Sequence, residues 1–287
     1  MKILVIGVTG LLGSSILKEK ISKVILLKGI SRSKKTKNII KLDIKNKAKT
    51  KIVFKNFNPD VIINCAAQAD VNKCNKNYKK ALLNNCTTVK NIVNSALTLK
   101  KYPHIIHIST DQVYNNKTIF EKNKEEEVRL SNYYSKSKYL GEKMLKNYKQ
   151  RTIIRTNFFG PSQSFQKKSF SDKLILNIKK KRKVHLPINI YFSPIMINKL
   201  VKIIFKIANL KIYGTYNIGS STGASKYEFG ILIAKLFNYD SRLITFYNST
   251  YKNFKRPNGT IMNVSKIEKK LNIKLPSLSK SISMLKI

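Results

Sequence analysis

Short apolar runs rich in β-branched residues recur along the chain at Ile3–Ile6, Val24–Leu27, Val61–Asn64, Ile105–Ser109 and Thr152–Arg155, with stretches of helical periodicity between them. Runs that are apolar at consecutive positions, rather than alternating, predict strands buried on both faces. Such strands alternating with helices predict an α/β fold with a doubly wound parallel sheet. A further run at Tyr213–Ile218 follows a mixed helix and loop region from about residue 160 to residue 212. It predicts a smaller C-terminal lobe, residues 161–287, partly interleaved with a first domain of residues 1–160.

Length and composition sharpen this picture in one respect. With 287 residues, 42% of them hydrophobic, the chain can bury a core without disulfide or metal staples. The 57 Lys and Arg against 14 Asp and Glu give a net charge of +43. Because the lysines punctuate nearly every segment instead of gathering on one arm, the charge reads as compositional bias, and no specific nucleic-acid partner is expected. Cys65, Cys74 and Cys86 form no CxxC pair, so neither a disulfide framework nor a zinc site is expected. The apolar start breaks at a glycine-rich turn and no run approaches a membrane span, which predicts a cytoplasmic protein.

Candidate chemistry begins at Gly7-Val8-Thr9-Gly10-Leu11-Leu12-Gly13, directly after the first predicted strand. In a βα turn, Gly7 permits the tight bend, Gly10 lets backbone N–H groups approach a pyrophosphate, and Gly13 allows close packing of helix on strand. This predicts a dinucleotide-binding turn of the Rossmann kind. After the second strand comes Ser31-Arg32-Ser33-Lys34-Lys35, with no acid to hold a ribose 2′-hydroxyl and an arginine able to grip a 2′-phosphate. NADP(H) is therefore expected ahead of NAD(H). Asp43 serves either a turn or an adenine contact.

Tyr134 and Lys138 stand four apart, on one face if the segment is helical, with Ser131 as the expected N-cap and Leu140, Met144 and Leu145 as a buried stripe. A neighbouring ammonium stabilises a phenolate, so the pair suits proton transfer near neutral pH. Ser109-Thr110-Asp111-Gln112-Val113-Tyr114 lies where a buried strand ends at its carboxyl edge, the edge at which open α/β sheets bind ligands.

Taken in order, GVTGLLG, NCAAQADV (64–71), NNCTTVKN (84–91), HISTDQVY (107–114), YYSKSK (133–138), IIRTNFFG (153–160), YFSP, GTYNIGSSTGASKYEF and Arg256-Pro257 make the chain resemble the extended short-chain dehydrogenase/reductase superfamily. Within it, the sequence is similar to the dTDP-4-dehydrorhamnose reductase group over almost its whole length. The resemblance implies a catalytic set of Thr110, Tyr134 and Lys138, in which Tyr134 donates a proton, Lys138 holds the nicotinamide ribose and tunes Tyr134, and Thr110 orients the carbonyl. It implies cofactor contacts from Gly10, Leu11 and Leu12, from Asp43 and Ile44 near the adenine, and from Ala66, Ala67 and Gln68 along the ribose. Thr110, Asp111 and Phe158 would touch the sugar, and Asn85 would either serve the site or brace its backbone.

Several positions depart from the group's pattern. Gln112 replaces the second acid that related dehydratases need for water elimination, which disfavours that reaction. Asn72 and Asn75 stand where acids are common, Leu130 replaces a usual proline, and Asn189 replaces an Asp, so no metal site is expected. The expected function is NADPH-dependent reduction of the 4-keto group of a nucleotide-linked 6-deoxy sugar for surface polysaccharide, with a homodimer possible. An NAD(P)-dependent epimerase and a non-catalytic NAD(P)-binding regulatory subunit are the alternatives.

Overall fold

The computed structural model describes residues 1–19, 24–116, 121–164, 168–250 and 256–286. Its contacts divide the chain into two compact units. The first comprises residues 1–109, 132–154 and 201–215; the second comprises 110–131, 155–200 and 216–287.

In chain order the strands of the first half are β1 (Lys2–Ile6), β2 (Leu26–Ser31), β3 (Ile39–Lys41), β4 (Val61–Asn64), β5 (His104–Ile108) and β6 (Arg151–Thr156). They are interleaved with α1 (Leu11–Lys18), α2 (Lys47–Phe57), α3 (Val71–Lys76), α4 (Tyr78–Leu82), α5 (Thr88–Ala96) and α6 (Tyr133–Lys143). Further along come β7 (Phe158–Phe159), α7 (Phe170–Lys179), β8 (Val184–Pro187), β9 (Tyr191–Phe192), β10 (Ile195–Met196), α8 (Ile197–Asn209), β11 (Gly214–Ile218) and α9 (Lys226–Leu236), with shorter elements between and after them.

A seven-stranded sheet runs in the order β11-β6-β5-β4-β1-β2-β3, and every pairing from β3 to β6 is parallel. The expected doubly wound sheet is thus present. Its physical cause is legible in the burial: Ile3 to Ile6, all of β4 and all of β5 are buried, as strands covered on both faces must be. One face packs Leu4, Ile6 and Ile62 against Phe54 and Phe57 of α2 and Val89 and Ile92 of α5. The order reverses between β4 and β1, so the loops leaving their carboxyl ends flank the crevice where such sheets take ligands.

The second strand departs from its predicted bounds of 24–27. Val24 lies outside it and is 78% exposed, whereas Lys28 and Gly29, which interrupt the apolar run, pair in register with Leu4 and Val5. Backbone pairing, not side-chain hydrophobicity, fixes that element. Asn132 rather than Ser131 caps α6: its side chain accepts from Ser135 N–H at 2.9 Å while Ser135 Oγ accepts from Asn132 N–H at 3.2 Å. Leu140 of the predicted stripe faces outward, while Leu145 is fully buried.

In the second unit, Phe159, Phe192, Phe229, Leu174 and Ile233 form one core. Beside it a buried polar network joins distant segments. Tyr114 OH donates to Asn217 Oδ1 at 2.7 Å, Arg155 donates to Tyr114 OH at 2.9 Å and to Glu125 O at 2.6 Å, and Asn217 N–H donates to Glu125 Oε1 at 3.0 Å. No helix among the described residues is long and apolar enough to cross a membrane.

Candidate active site

The glycine turn, the end of β2 and the end of β4 meet at the carboxyl edge of the sheet. Gly7 N–H and Val8 N–H donate to Ile30 O at 3.0 and 3.3 Å, which ties the turn to β2. Gly7 adopts φ +86°, and a Cβ there would lie 2.8 Å from Ala66 N, so the turn and the loop after β4 are in direct contact. Gly10 is the N-cap of α1, whose start carries no side-chain cap, and Leu11, Leu12 and Gly13 form its first turn beside Thr9. A Cβ on Gly13 would lie 2.4 Å from Gly7 O, so only glycine lets α1 begin this close to β1. An uncapped helix start above a cradle that a side chain would fill fits the pyrophosphate of a dinucleotide.

Ser31 is buried, and its Oγ accepts from Ser33 N–H and Lys34 N–H at 3.2 and 3.1 Å, shaping the turn that presents the exposed Arg32. Leu42 N–H donates to Ser31 O at 2.8 Å and brings Asp43 alongside. Asp43 holds a turn through Lys45 N–H at 3.0 Å, with its carboxylate 3.4 Å from Lys45 Nζ. Ile44 is buried, and its carbonyl accepts from Asn91 Nδ2 at 2.9 Å.

The loop Ala66-Ala67-Gln68 is held at Ala66 N–H by Asn64 Oδ1 at 3.1 Å and clamped at Gln68 by Asn85. Asn85 Oδ1 accepts from Gln68 N–H at 2.7 Å, while its Nδ2 donates to Gln68 O at 3.1 Å and to Ser137 Oγ at 2.9 Å. Asn85 sits in a π-helical turn, Leu83–Thr87, between α4 and α5, and it joins the loop after β4 to the helix that bears Tyr134 and Lys138. The bracing role is therefore the one the structure displays. Close approach makes it possible, because a Cβ on Gly141 would lie 2.3 Å from Asn85 O.

On α6, Tyr134 and Lys138 lie one turn apart and are both buried. Tyr134 packs with Val71, Cys74 and Ala81. Lys138 Nζ donates to Ile108 O at 2.7 Å, at the carboxyl end of β5, and Ile108 O is its one hydrogen-bond partner among the described residues. An ammonium has three protons to give, so this leaves capacity for a ligand. Burial pulls its pKa down to about 8, against the pull of the Glu142 carboxylate one turn further along. Glu142 Oε1 accepts from Ser109 Oγ at 2.5 Å, which fixes that carboxylate beside β5.

Asn75, noted in the sequence only as standing where acids are common, accepts from Tyr133 N–H at 2.9 Å and so helps seat the start of α6. The contact spans 58 residues of sequence, from α3 to the start of α6, so nothing local to Asn75 signals it. Thr110, Asp111 and Phe158 fall in the second unit. Thr110 directly follows Ser109; its Oγ1 accepts from Gln112 N–H at 3.2 Å and donates to Asp111 Oδ1 at 3.3 Å. Asp111 is buried, and its Oδ2 accepts from Asn157 Nδ2 at 2.9 Å and Thr260 Oγ1 at 2.8 Å. Burial raises its pKa even though these three donors oppose the shift. Phe158, next to Asn157, is partly buried in β7, which pairs with β10.

The sequence profile of the RmlD substrate binding domain family spans residues 1–285. The chain belongs to that family. Membership bears out the resemblance drawn from the motifs. The spore coat polysaccharide biosynthesis protein SpsK of Bacillus subtilis is 27% identical over 258 residues, covering 88% of this chain and 85% of its own. Among solved structures, a dTDP-4-dehydrorhamnose reductase of Clostridium acetobutylicum superposes with a TM-score of 0.88 at 25% identity, covering 99% of this chain and 98% of that one. A dTDP-4-dehydrorhamnose reductase of Bacillus anthracis in complex with NADP shares the fold at a TM-score of 0.89 and 21% identity, again over 99% of this chain and 98% of that one.

Proposed function

We propose that the protein is an NADPH-dependent reductase of the 4-keto group of a nucleotide-linked 6-deoxy sugar, of the dTDP-4-dehydrorhamnose reductase kind. The observation that carries this reading lies within the first unit. Tyr134 and Lys138 are buried one turn apart, and the loop clamped to their helix by Asn85 touches a glycine turn fitted to a dinucleotide. The family and the names of the relatives support the substrate class.

Gly7, Gly10 and the first turn of α1 would hold the pyrophosphate, Asp43 and Ile44 the adenine side, and Ala66 to Gln68 the ribose. Arg32 would meet a 2′-phosphate, since the segment Ser31–Lys35 at the end of β2 carries no acid. NADPH bound there would supply the hydride. Tyr134 gives its phenolic proton to the carbonyl oxygen as negative charge develops on it, and Lys138 stabilises the resulting phenolate. Thr110 orients the carbonyl through its hydroxyl. Asp111, with its carboxyl held by Asn157 and Thr260, and Phe158 meet the sugar.

Nicotinamide absorbance, followed with NADPH and NADH on a panel of nucleotide-linked 4-keto-6-deoxy sugars including dTDP-4-keto-L-rhamnose, tests the reading. Stoichiometric oxidation with one substrate and a preference for NADPH are expected. No consumption across the panel, with cofactor bound, overturns it in favour of an epimerase or a regulatory subunit.

A further inference from the structure

Lys226, the first residue of α9, forms no ion pair among the described residues. Its backbone is pinned, because Ser225 and Glu228 form a reciprocal cap at 3.1 and 2.7 Å and Lys226 N–H donates to Ile190 O at 3.0 Å. The side chain is partly buried, with Nζ 5.7 Å from the ring centre of Phe170 and 5.9 Å from that of Phe192. Among the described residues it has no hydrogen-bond or ion-pair partner. The aromatic faces offset only part of the lost hydration.

The surroundings do not complete the compensation. Asp111 attracts Lys226, but its carboxyl is already committed to Asn157, Thr260 and Thr110. Arg256 repels it. Two cations and one engaged carboxyl leave a net positive locus on a fixed backbone, beside a residue assigned to the sugar. In a chain with 57 basic residues most lysines are solvated surface groups, and this one differs in being partly withdrawn from water and stacked on two aromatic rings.

We propose that Lys226 grips an anionic oxygen group of the substrate, making it a specificity-determining residue of the second unit. The chemistry required is a cluster of charged oxygens, and a nucleotide sugar can offer it as its diphosphate or as a carboxylate on the sugar. The proposal rests on the nucleotide-sugar reading above.

Calorimetric titration of the full chain with inorganic pyrophosphate, dTDP, UDP-glucose and UDP-glucuronate, for the wild type, Lys226→Gln and Lys226→Arg, tests it. Expected is a loss of about tenfold or more in affinity for pyrophosphate and dTDP in Lys226→Gln, recovery in Lys226→Arg, and an unchanged affinity for NADPH. If only UDP-glucuronate weakens while pyrophosphate and UDP-glucose do not, the anion is the sugar carboxylate and the proposal stands in that form. Lys226→Gln binding all four ligands within about twofold of the wild type, or a wild type that binds none of them, overturns it. Thermal melts of both variants report folding, and the charge-retaining variant carries the test if the neutral one melts early. Lys226-dependent anion binding without NADPH consumption on any 4-keto sugar would leave Lys226 assigned and sink the reductase reading alone.

Discussion

Asn85→Ala isolates the clamp between the loop after β4 and α6. The wild-type side chain satisfies both polar groups of Gln68 and donates to Ser137 Oγ, at 2.7, 3.1 and 2.9 Å. The losses are unequal. Gln68 O keeps a weak donor in Cys74 Sγ at 3.3 Å, and Ser137 Oγ keeps its own bond to Tyr134 O at 2.8 Å. Gln68 N–H loses its partner outright, at a cost of about 1–3 kcal/mol for an orphaned donor, and the two lost donations bring the total to about 2–4 kcal/mol. Urea denaturation measures that sum, and hydrogen exchange at the Gln68 amide locates it. The Michaelis constant for NADPH should rise along with both, since the loop is the proposed ribose contact. Asn85→Asp sharpens the test because it retains the acceptor but turns a carboxylate toward Gln68 O. Its folded pKa should rise above the ordinary value of about 3.9, so the unfolded state binds fewer protons and stability should fall as pH climbs through the range above about 4. A change below about 0.5 kcal/mol in Asn85→Ala, with Gln68 protection intact, would refute the clamp.

Tyr134→Phe should abolish turnover while NADPH affinity stays nearly intact, since only a proton donor is removed; substantial residual activity counts against the assigned role. Gly13→Ala places a methyl 2.4 Å from a backbone oxygen that cannot yield cheaply, so a loss of about 1–3 kcal/mol in thermal stability and a sharply weaker NADPH affinity are expected, and a wild-type melting curve would contradict them. Lys138 titrates near pH 8 in the fold and about 10.4 when unfolded, so the unfolded state binds more protons in that window and stability should rise with pH across it. Turnover that needs the ammonium should fall above about pH 8, and Lys138→Met should remove the stability slope; an unchanged slope in that variant would assign it elsewhere.

The strands at β1, β4, β5 and β6 were legible because burial on both faces writes itself as consecutive apolar residues. The second strand was misplaced because its pairing runs through Lys28 and Gly29, whose contribution to the ladder is backbone alone. Elements of two residues, such as β7 and β10, leave no periodicity to read. Of the proposed site, the glycine turn and the Tyr134/Lys138 spacing were visible because each is local. Asn85 was marked only through the resemblance, which left its role open, and Asn75 only as a departure from the group's pattern; with Asn91 they act across 17, 58 and 47 residues of sequence, contacts that no local pattern displays.

The scarcity of acids sharpens the roles of those that remain. At least nine of the fourteen accept a hydrogen bond from a backbone N–H: Asp43, Asp60, Asp70, Asp172, Asp240, Glu125, Glu127, Glu228 and Glu268. Six of these are local caps and turns, and Asp60, Glu125 and Glu268 tie down segments further along the chain; at each a lysine would leave a donor unanswered. A compositional drift toward lysine would spare them, which accounts for a net charge of +43 without assigning it a partner. Asp111 and Glu142 do not fit that explanation. They are the two buried acids among the described residues, and both accept from side chains. Each stands next to a proposed catalytic group: Asp111 follows Thr110 and bonds to it, and Glu142 lies one turn from Lys138 and favours its charged form. Buried carboxyls are costly unless compensated. Three donors on Asp111 and a 2.5 Å bond on Glu142 supply that compensation, beside the groups proposed for catalysis.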